Sequence, residues 1–194
     1  AIYSGIAKDF RSRFGRDRGV VENYRCDDAE VVFFMIGSFA TKAREAVNRL
    51  RDAGHPVGLL RPRLLRPYPA DIIADALQGV QGVAVIDQNL SVGQGGVLHT
   101  ELCAALYGRP RAPTVLASFI GGLGGREIAP EEFFQMAAVT REAVATGNTP
   151  PPRLLYTEDE LREIRKLQSI ALVERDETSP IRPPQPQSGE GGDP

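Results

Sequence analysis

Cysteine is scarce in this chain. Only Cys26 and Cys103 occur, with no motif spacing between them. Two thiols cannot supply all the protein ligands of an iron–sulfur cubane. As unpaired core residues they suit a reducing compartment, which places the chain in the cytoplasm. Histidine is equally rare, and His55 and His99 are too scattered to build a zinc site. Long apolar runs are missing too. The longest, Val31 to Ile36, is far too short to span a bilayer, and the opening "AIYSGIAKDF" lacks the apolar core of a signal peptide. No excess of one charge exists either. Lys and Arg number 23 against 25 Asp and Glu, a net charge of -2 that gives no support to a nucleic-acid or anionic-membrane partner. No Gly-Lys-Ser/Thr occurs, which excludes a Walker loop.

What is present suits one substantial core, since 194 residues are 42% hydrophobic. The start at Ala1 without methionine, in a stretch resembling the middle of something, points to a fragment or a processed chain. Residues 1–28 read as a solvated lead-in or a segment lying against a partner, with Lys8, Arg11, Arg13, Arg16, Arg18 and Arg25 interleaved with acids. Residues 29–147 read as an α/β domain, 148–178 as a proline-rich linker and C-terminal helix, and 179–194 as a disordered Pro/Gly/Ser-rich tail.

The domain is legible from periodicity. "AEVVFFMIG" does not alternate, as expected of a strand buried on both faces. In the following helix Ala40, Ala43, Ala46, Val47 and Leu50 share one face, and Gly54 sits where a C-cap glycine belongs. Val57 to Leu60 begins the next strand, which Pro62 and Pro67 keep from continuing as an ordinary central strand. Pro69 opens a helix whose inner face is Ile72, Ile73, Ala76 and Leu77. "VAVID" is the third strand, followed by a helix over Leu98–Leu106. "APTVLASFI" is the fourth strand, followed by a helix from about Pro130 to Ala145. Four strand–helix alternations define a three-layer α/β fold, a mostly parallel sheet with helices on both faces. Thr157 and Glu160 fit a capping box for the last helix. Its stripe of Leu161, Ile164, Leu167 and Ala171 suits packing on the domain or reaching a partner.

Three loops follow strand ends, where ligands bind in open α/β sheets. In "GSFAT", Ser38 suits a helix cap. In "DQNLSVGQGG", Gly93 and Gly95 begin a dinucleotide fingerprint, but Leu98 stands where its last glycine is required. Asp87, at the strand end, is read as hydrogen-bonding the loop in preference to catalysis. In "IGGLGGRE", the glycines up to Gly124 and Gly125 imply positive φ or close backbone contact, and with Arg126 the loop reads as an interface or cofactor-facing turn. The run Arg61, Arg63, Arg66 meets no acid before Asp71. Salt bridges to a neighbouring subunit are preferred to a substrate phosphate. No catalytic triad, cofactor site or metal site assembles from these spacings.

Taken together, "GS" with "TKAREAV", "GLLRPRLLRPYP", "VAVIDQNLSVGQGG" and "IGGLGGREI" resemble the C-terminal part of the alpha subunit of pyruvate:ferredoxin oxidoreductase and its 2-oxoacid relatives. The match runs from about Tyr24 to Ala145. The resemblance implies a transketolase C-terminal-like domain. It also implies a complex that oxidatively decarboxylates a 2-oxoacid, pyruvate being favoured, joins the acyl group to coenzyme A and reduces ferredoxin. Thiamine diphosphate with Mg2+ and [4Fe-4S] clusters serve the whole complex. The domain preceding this one in that subunit, the Gly-Asp-Gly diphosphate motif and the cysteine-rich cluster motifs are absent here. The resemblance therefore implies an assembly role without catalysis, with thiamine diphosphate-binding and iron–sulfur subunits or domains as partners. Arg61, Arg66, Asp87, Asn89, Gly93, Gly95, Gly124, Gly125 and Arg126 are the residues expected at an interface or facing the cleft. Competing readings are the C-terminal domain of a transketolase-like or 2-oxoacid dehydrogenase beta chain, a stand-alone nucleotide-binding or acyl-phosphate-binding protein, and a purely structural interaction subunit.

Overall fold

The computed structural model describes residues 2–156 and 158–178. It divides into two compact units between Leu155 and Tyr156. The second unit contains one described element, helix α6 (Glu158–Thr178). The capping box expected at Thr157 and the tail beyond Ser179 lie outside the described residues.

The first unit is a six-stranded sheet with helices on both faces. In chain order its elements are α1 (Ile2–Phe14), β1 (Val21–Tyr24), β2 (Val31–Met35), α2 (Ala40–Asp52), β3 (Val57–Pro62), α3 (Ala70–Ala76), β4 (Gly82–Asp87), α4 (Val97–Leu106), β5 (Val115–Ile120), α5 (Pro130–Thr146) and β6 (Arg153–Leu154). The strand order is β1-β3-β2-β4-β5-β6. Every pairing is parallel except β1 with β3.

The unbroken apolar runs become strands because both of their faces are covered. Every residue of β2 and β4 is buried. On one face Phe33, Met35, Ala84, Ile86, Ala117 and Phe119 pack against α2 and α5. On the other, Val32, Phe34, Val83 and Val85 pack against α3 and α4. The expected α2 stripe is the buried one: Ala40, Ala43, Ala46, Val47 and Leu50. Alanine dominates it, so the helix lies close to the sheet. Phe33 meets Phe133 of α5 edge-on, with ring centroids 5.5 Å apart, the arrangement favoured by the ring quadrupoles.

Three local expectations are corrected. In α3, which is only seven residues long, Ile73 and Ala74 are buried, as is Leu77 at its C-cap, while Ile72 is exposed. Adjacent helical residues point about 100° apart, so with Ile73 turned onto the sheet Ile72 is left at the solvent side. Ser38 does not cap α2. Phe39 holds the N-cap position with no side-chain bond, and Ser38 offers only its carbonyl to Thr41 N–H. The segment read as lead-in contains both α1 and β1, and β1 extends the sheet past β3. The sheet thus runs from Val21 to Leu154, wider at both ends than residues 29–147.

Pro62 is tolerated in β3 for a reason of register. Arg63 N–H donates to Val20 C=O, so in the alternating antiparallel pattern Val21 and Pro62 form a non-hydrogen-bonded pair. The nitrogen of Pro62 faces the β2 side, beyond Phe34↔Leu60, the last β2–β3 pair.

Phe33→Ala should cost about 3–5 kcal/mol in urea unfolding, the range for removing a fully buried phenyl ring. Ile72→Ala, exposed on the short helix, should change stability by no more than about 0.5 kcal/mol. That contrast checks which isoleucine faces the core.

Candidate functional site

From β2 the chain crosses to β3 on one side; from β4 it crosses to β5 on the other. The switch point therefore lies between the C-terminal ends of β2 and β4, the place where open α/β sheets bind ligands. It is occupied by the chain's own side chains. A Cβ added to Gly122 would lie 3.2 Å from the Phe39 ring and 3.6 Å from Gln88 Cγ. One added to Gly37 would lie 3.4 Å from Gln88 Oε1. The buried Gln88 Nε2 has no acceptor among the described residues. Phe39 and Gln88 were not among the residues expected at an interface or facing the cleft, because neither residue type in a loop signals that it will fill a crevice between two distant glycine loops.

Asp87 decides what the second loop does. Its side chain is fully buried. Leu98 N–H donates to Oδ1 at 2.7 Å and His99 N–H to Oδ2 at 3.1 Å. Asn89 Oδ1 accepts from Val97 N–H at 3.1 Å. The first three amides of α4 are thus satisfied internally. A helix N-terminus that would suit a phosphate is already closed by two side chains. Burial pushes the Asp87 carboxyl above the ordinary aspartate range, while the two amides and His99 pull the other way. Gly96, the N-cap residue, leaves the space that Asp87 occupies, since an added Cβ would collide with the carboxylate. Gly93 and Gly95 both have φ +79°, and Ser91 N–H closes the turn onto Gly95 C=O at 2.8 Å. Leu90 and Val92 stand out of this loop, Val92 being 98% exposed.

The third loop is held by Gly121 N–H donating to Asp87 C=O at 2.9 Å. Gly122, Gly124 and Gly125 all take left-handed φ. No atom lies within 4 Å of a Cβ built on Gly124 or Gly125, so positive φ, and not close contact, requires glycine there. Arg126 pairs with Glu132 at 3.0 Å, and Glu132 also accepts from Ala129 N–H, capping α5.

The arginine run finds partners within the chain, where salt bridges to a neighbouring subunit were expected. Arg61 and Arg63 both reach Glu22, at 3.5 and 2.5 Å, and Arg44 joins them at 3.3 Å. Arg66 pairs with Glu101 of α4 at 2.6 Å. Asp71, the acid nearest in sequence, pairs with Arg109. The cause is β1. Lying antiparallel on β3, it brings back a carboxylate from 39 and 41 positions upstream. The Arg66–Pro67 peptide is cis.

Cys103 Sγ lies 3.7 Å from His99 Nε2, but that nitrogen also meets Leu116 C=O at 3.1 Å, and burial holds the thiol above its ordinary range. Cys26 is pushed up to about 11 by burial. Among the described residues no group of three or more His, Cys, Asp or Glu converges to hold a metal ion. With Asp87 turned inward onto α4, these residues do not fit a thiamine diphosphate–magnesium site or an iron–sulfur cluster. Among the described residues no helix is long and apolar enough to cross a membrane.

Sheet order, layers and strand-end loops define the class: a three-layer α/β domain with a mostly parallel sheet. The model of pyruvate:ferredoxin oxidoreductase core domain II matches residues 29–133, and the chain belongs to that family. It is 44% identical to pyruvate synthase subunit PorA of Methanothermobacter thermautotrophicus over 129 residues, 66% of this chain and 32% of that protein. It is 35% identical to ketoisovalerate oxidoreductase subunit VorA of Pyrococcus abyssi over 147 residues, 75% of this chain and 37% of that protein. The chain thus spans about a third of the length of these curated relatives. A solved split-gene transketolase, an inactive beta4 tetramer, aligns with TM-score 0.44 and 16% identity over 66% of this chain and 41% of that one.

Asp87→Ala should leave two α4 amides without acceptors and cost about 1–3 kcal/mol by urea unfolding. Gly96→Ala should cost a similar amount, about 1–3 kcal/mol, because the new methyl displaces the carboxylate. The raised carboxyl sets a pH signature with a definite sign. Relative to Asp87→Asn, wild type should be at its most stable below the unfolded carboxyl value of about 3.9. It should lose that advantage as pH rises through the higher folded value. A gap that widens with pH would contradict the burial argument.

Proposed function

We propose that this chain is a non-catalytic assembly domain from the C-terminal region of the alpha subunit of a thiamine-diphosphate-dependent 2-oxoacid:ferredoxin oxidoreductase. The complete cytoplasmic complex would oxidatively decarboxylate the 2-oxoacid, transfer the acyl group to coenzyme A and reduce ferredoxin. Thiamine diphosphate with Mg2+ and the [4Fe-4S] clusters would be held by other domains or subunits. Pyruvate is the favoured substrate because "pyruvate synthase" names several relatives, and ketoisovalerate is the alternative for the same reason.

One observation carries the assembly role. Asp87 and Asn89, the polar side chains best placed for chemistry at the strand ends, are committed to the N-terminus of α4. The stand-alone nucleotide reading loses its anchor for the same reason. The strand-end loops instead offer a surface. Gly93, Gly95, Gly124 and Gly125 shape loops bearing exposed Leu90, Val92 and Leu123. Arg66, with a side chain 66% exposed, lies beside α4 through Glu101. Apolar side chains rimmed by charge are the composition of a docking face. Arg126 braces that face through Glu132, whereas Arg61 is held by Glu22 at the β1 edge of the sheet.

Native mass spectrometry of the protein isolated from its source, with iron counted on the same sample, tests this reading. A large iron-containing assembly with co-purifying chains is the expected result. A lone, iron-free chain would overturn it. Leu90→Asp with Val92→Asp should leave the domain within about 0.5 kcal/mol of wild-type stability yet remove it from the assembly.

A further inference from the structure

β1 is the end strand of the sheet, only four residues long, and no described strand pairs with its outer side. The bond from Arg63 N–H to Val20 C=O sets the alternation along it. The main-chain groups of Glu22 and Tyr24 face β3. Those of Val21 and Asn23 point outward, away from the sheet. Along this edge runs a groove of about 600 Å³, lined by the whole of β1 and by Arg16, Asp17, Arg18, Gly19, Arg44 and Arg63.

The groove is basic in a chain whose net charge is -2. Of its two carboxylates, Glu22 lies under Arg44, Arg61 and Arg63. Asp17 accepts from Gly19 N–H at 2.9 Å and meets Arg11 at 3.3 Å. Both acids are therefore matched more than once. Arg16 and Arg18 are exposed, and neither guanidinium has a hydrogen-bond or ion-pair partner among the described residues. Tyr3 OH fastens the backbone here by donating to Arg18 C=O at 3.1 Å, which ties this segment to α1. The Arg44 guanidinium lies 4.4 Å from the centre of the Tyr24 ring, so its position is set by stacking as well as charge.

We infer that this edge receives an extended acidic segment of a partner protein, added to the sheet as a further strand beside β1. Outward N–H and C=O groups at Val21 and Asn23 supply sequence-independent main-chain bonds. Arg16 and Arg18, with Arg44 and Arg63 behind them, select carboxylates at alternate positions. Arg16 and Arg18 stand two positions apart in the segment leading into β1, outside the Arg44, Arg61 and Arg63 cluster on Glu22, a linear placement that favours an extended chain over a single phosphate. Bare edge protection by charge is the competing explanation, and it predicts no ligand.

The inference names one partner chemistry for the assembly role proposed above, and its test needs no assembly. The isolated chain, labelled with 15N, is titrated with the capped peptide Glu-Thr-Glu-Val-Glu-Thr-Glu. A matching peptide with lysine at every glutamate and inorganic pyrophosphate are titrated in parallel. The expected result is saturable, salt-weakened binding of the acidic peptide, with slowed hydrogen exchange at the Val21 and Asn23 amides. Arg16→Glu with Arg18→Glu should weaken it roughly tenfold or more without altering the urea midpoint. Val21→Pro, which removes an outward N–H and no β1–β3 bond, should abolish the protection. No binding of the acidic peptide, or equal binding of the lysine peptide, would overturn the inference. Pyrophosphate binding that displaces the peptide with no change in amide exchange would overturn it in favour of a small phosphate ligand.

Discussion

A carboxylate buried with no exposure at the end of an interior strand must be satisfied by the structure around it. Asp87 imposes that condition, and much of the strand-end architecture answers to it. Its two oxygens accept the Leu98 and His99 amides, which fixes where α4 starts. Gly96 must lack a side chain so that the carboxylate fits. Asn89 closes the remaining amide of the first turn, and Gly121 docks the third loop onto the Asp87 carbonyl. A position that suits an anion in many α/β proteins is thereby converted into an internal joint.

A second carboxylate organises the opposite flank. Glu22 stands between three arginines from α2 and from the end of β3. Its side chain is 13% exposed, so removing it would leave three guanidinium groups repelling one another where screening by solvent is reduced. The strand that carries it extends the sheet, and the outer side of that strand defines the basic groove. Joint and groove have different chemistry: one closes a ligand position, the other leaves charge unmatched.

The central elements were legible because their signals are local. The unbroken apolar runs of β2 and β4, the alanine-rich stripe of α2 and the glycine after it depend on residues within one or two turns of one another. Asp87 could be placed at a strand end followed by glycines, but among the residues expected at an interface or facing the cleft; its burial against α4 is a finding of the structure. Other features depend on neighbours far away along the chain. Ser38 has the right residue type for a cap, but the helix begins one residue later than that role needs. Ile72 and Ile73 are indistinguishable in a seven-residue helix until the sheet chooses a face. Gln88 and Phe39 come to the same glycine, Gly122, only because β2, β4 and β5 are neighbours in the sheet.

By itself the sequence determined the class of fold, the order of its core strands and helices, and the glycine-shaped loops at the strand ends. Hydrophobic periodicity and backbone permissiveness act over short spans and need no partner to be read. Tertiary structure alone decided that residues before Ala29 build an edge strand and that Arg61, Arg63 and Arg66 pair within the chain. It alone decided that the N-terminus of α4 is filled by Asp87 and Asn89. Those outcomes depend on which distant segments come within hydrogen-bonding reach, and a charge or an amide carries no mark of its partner until the sheet brings the two together.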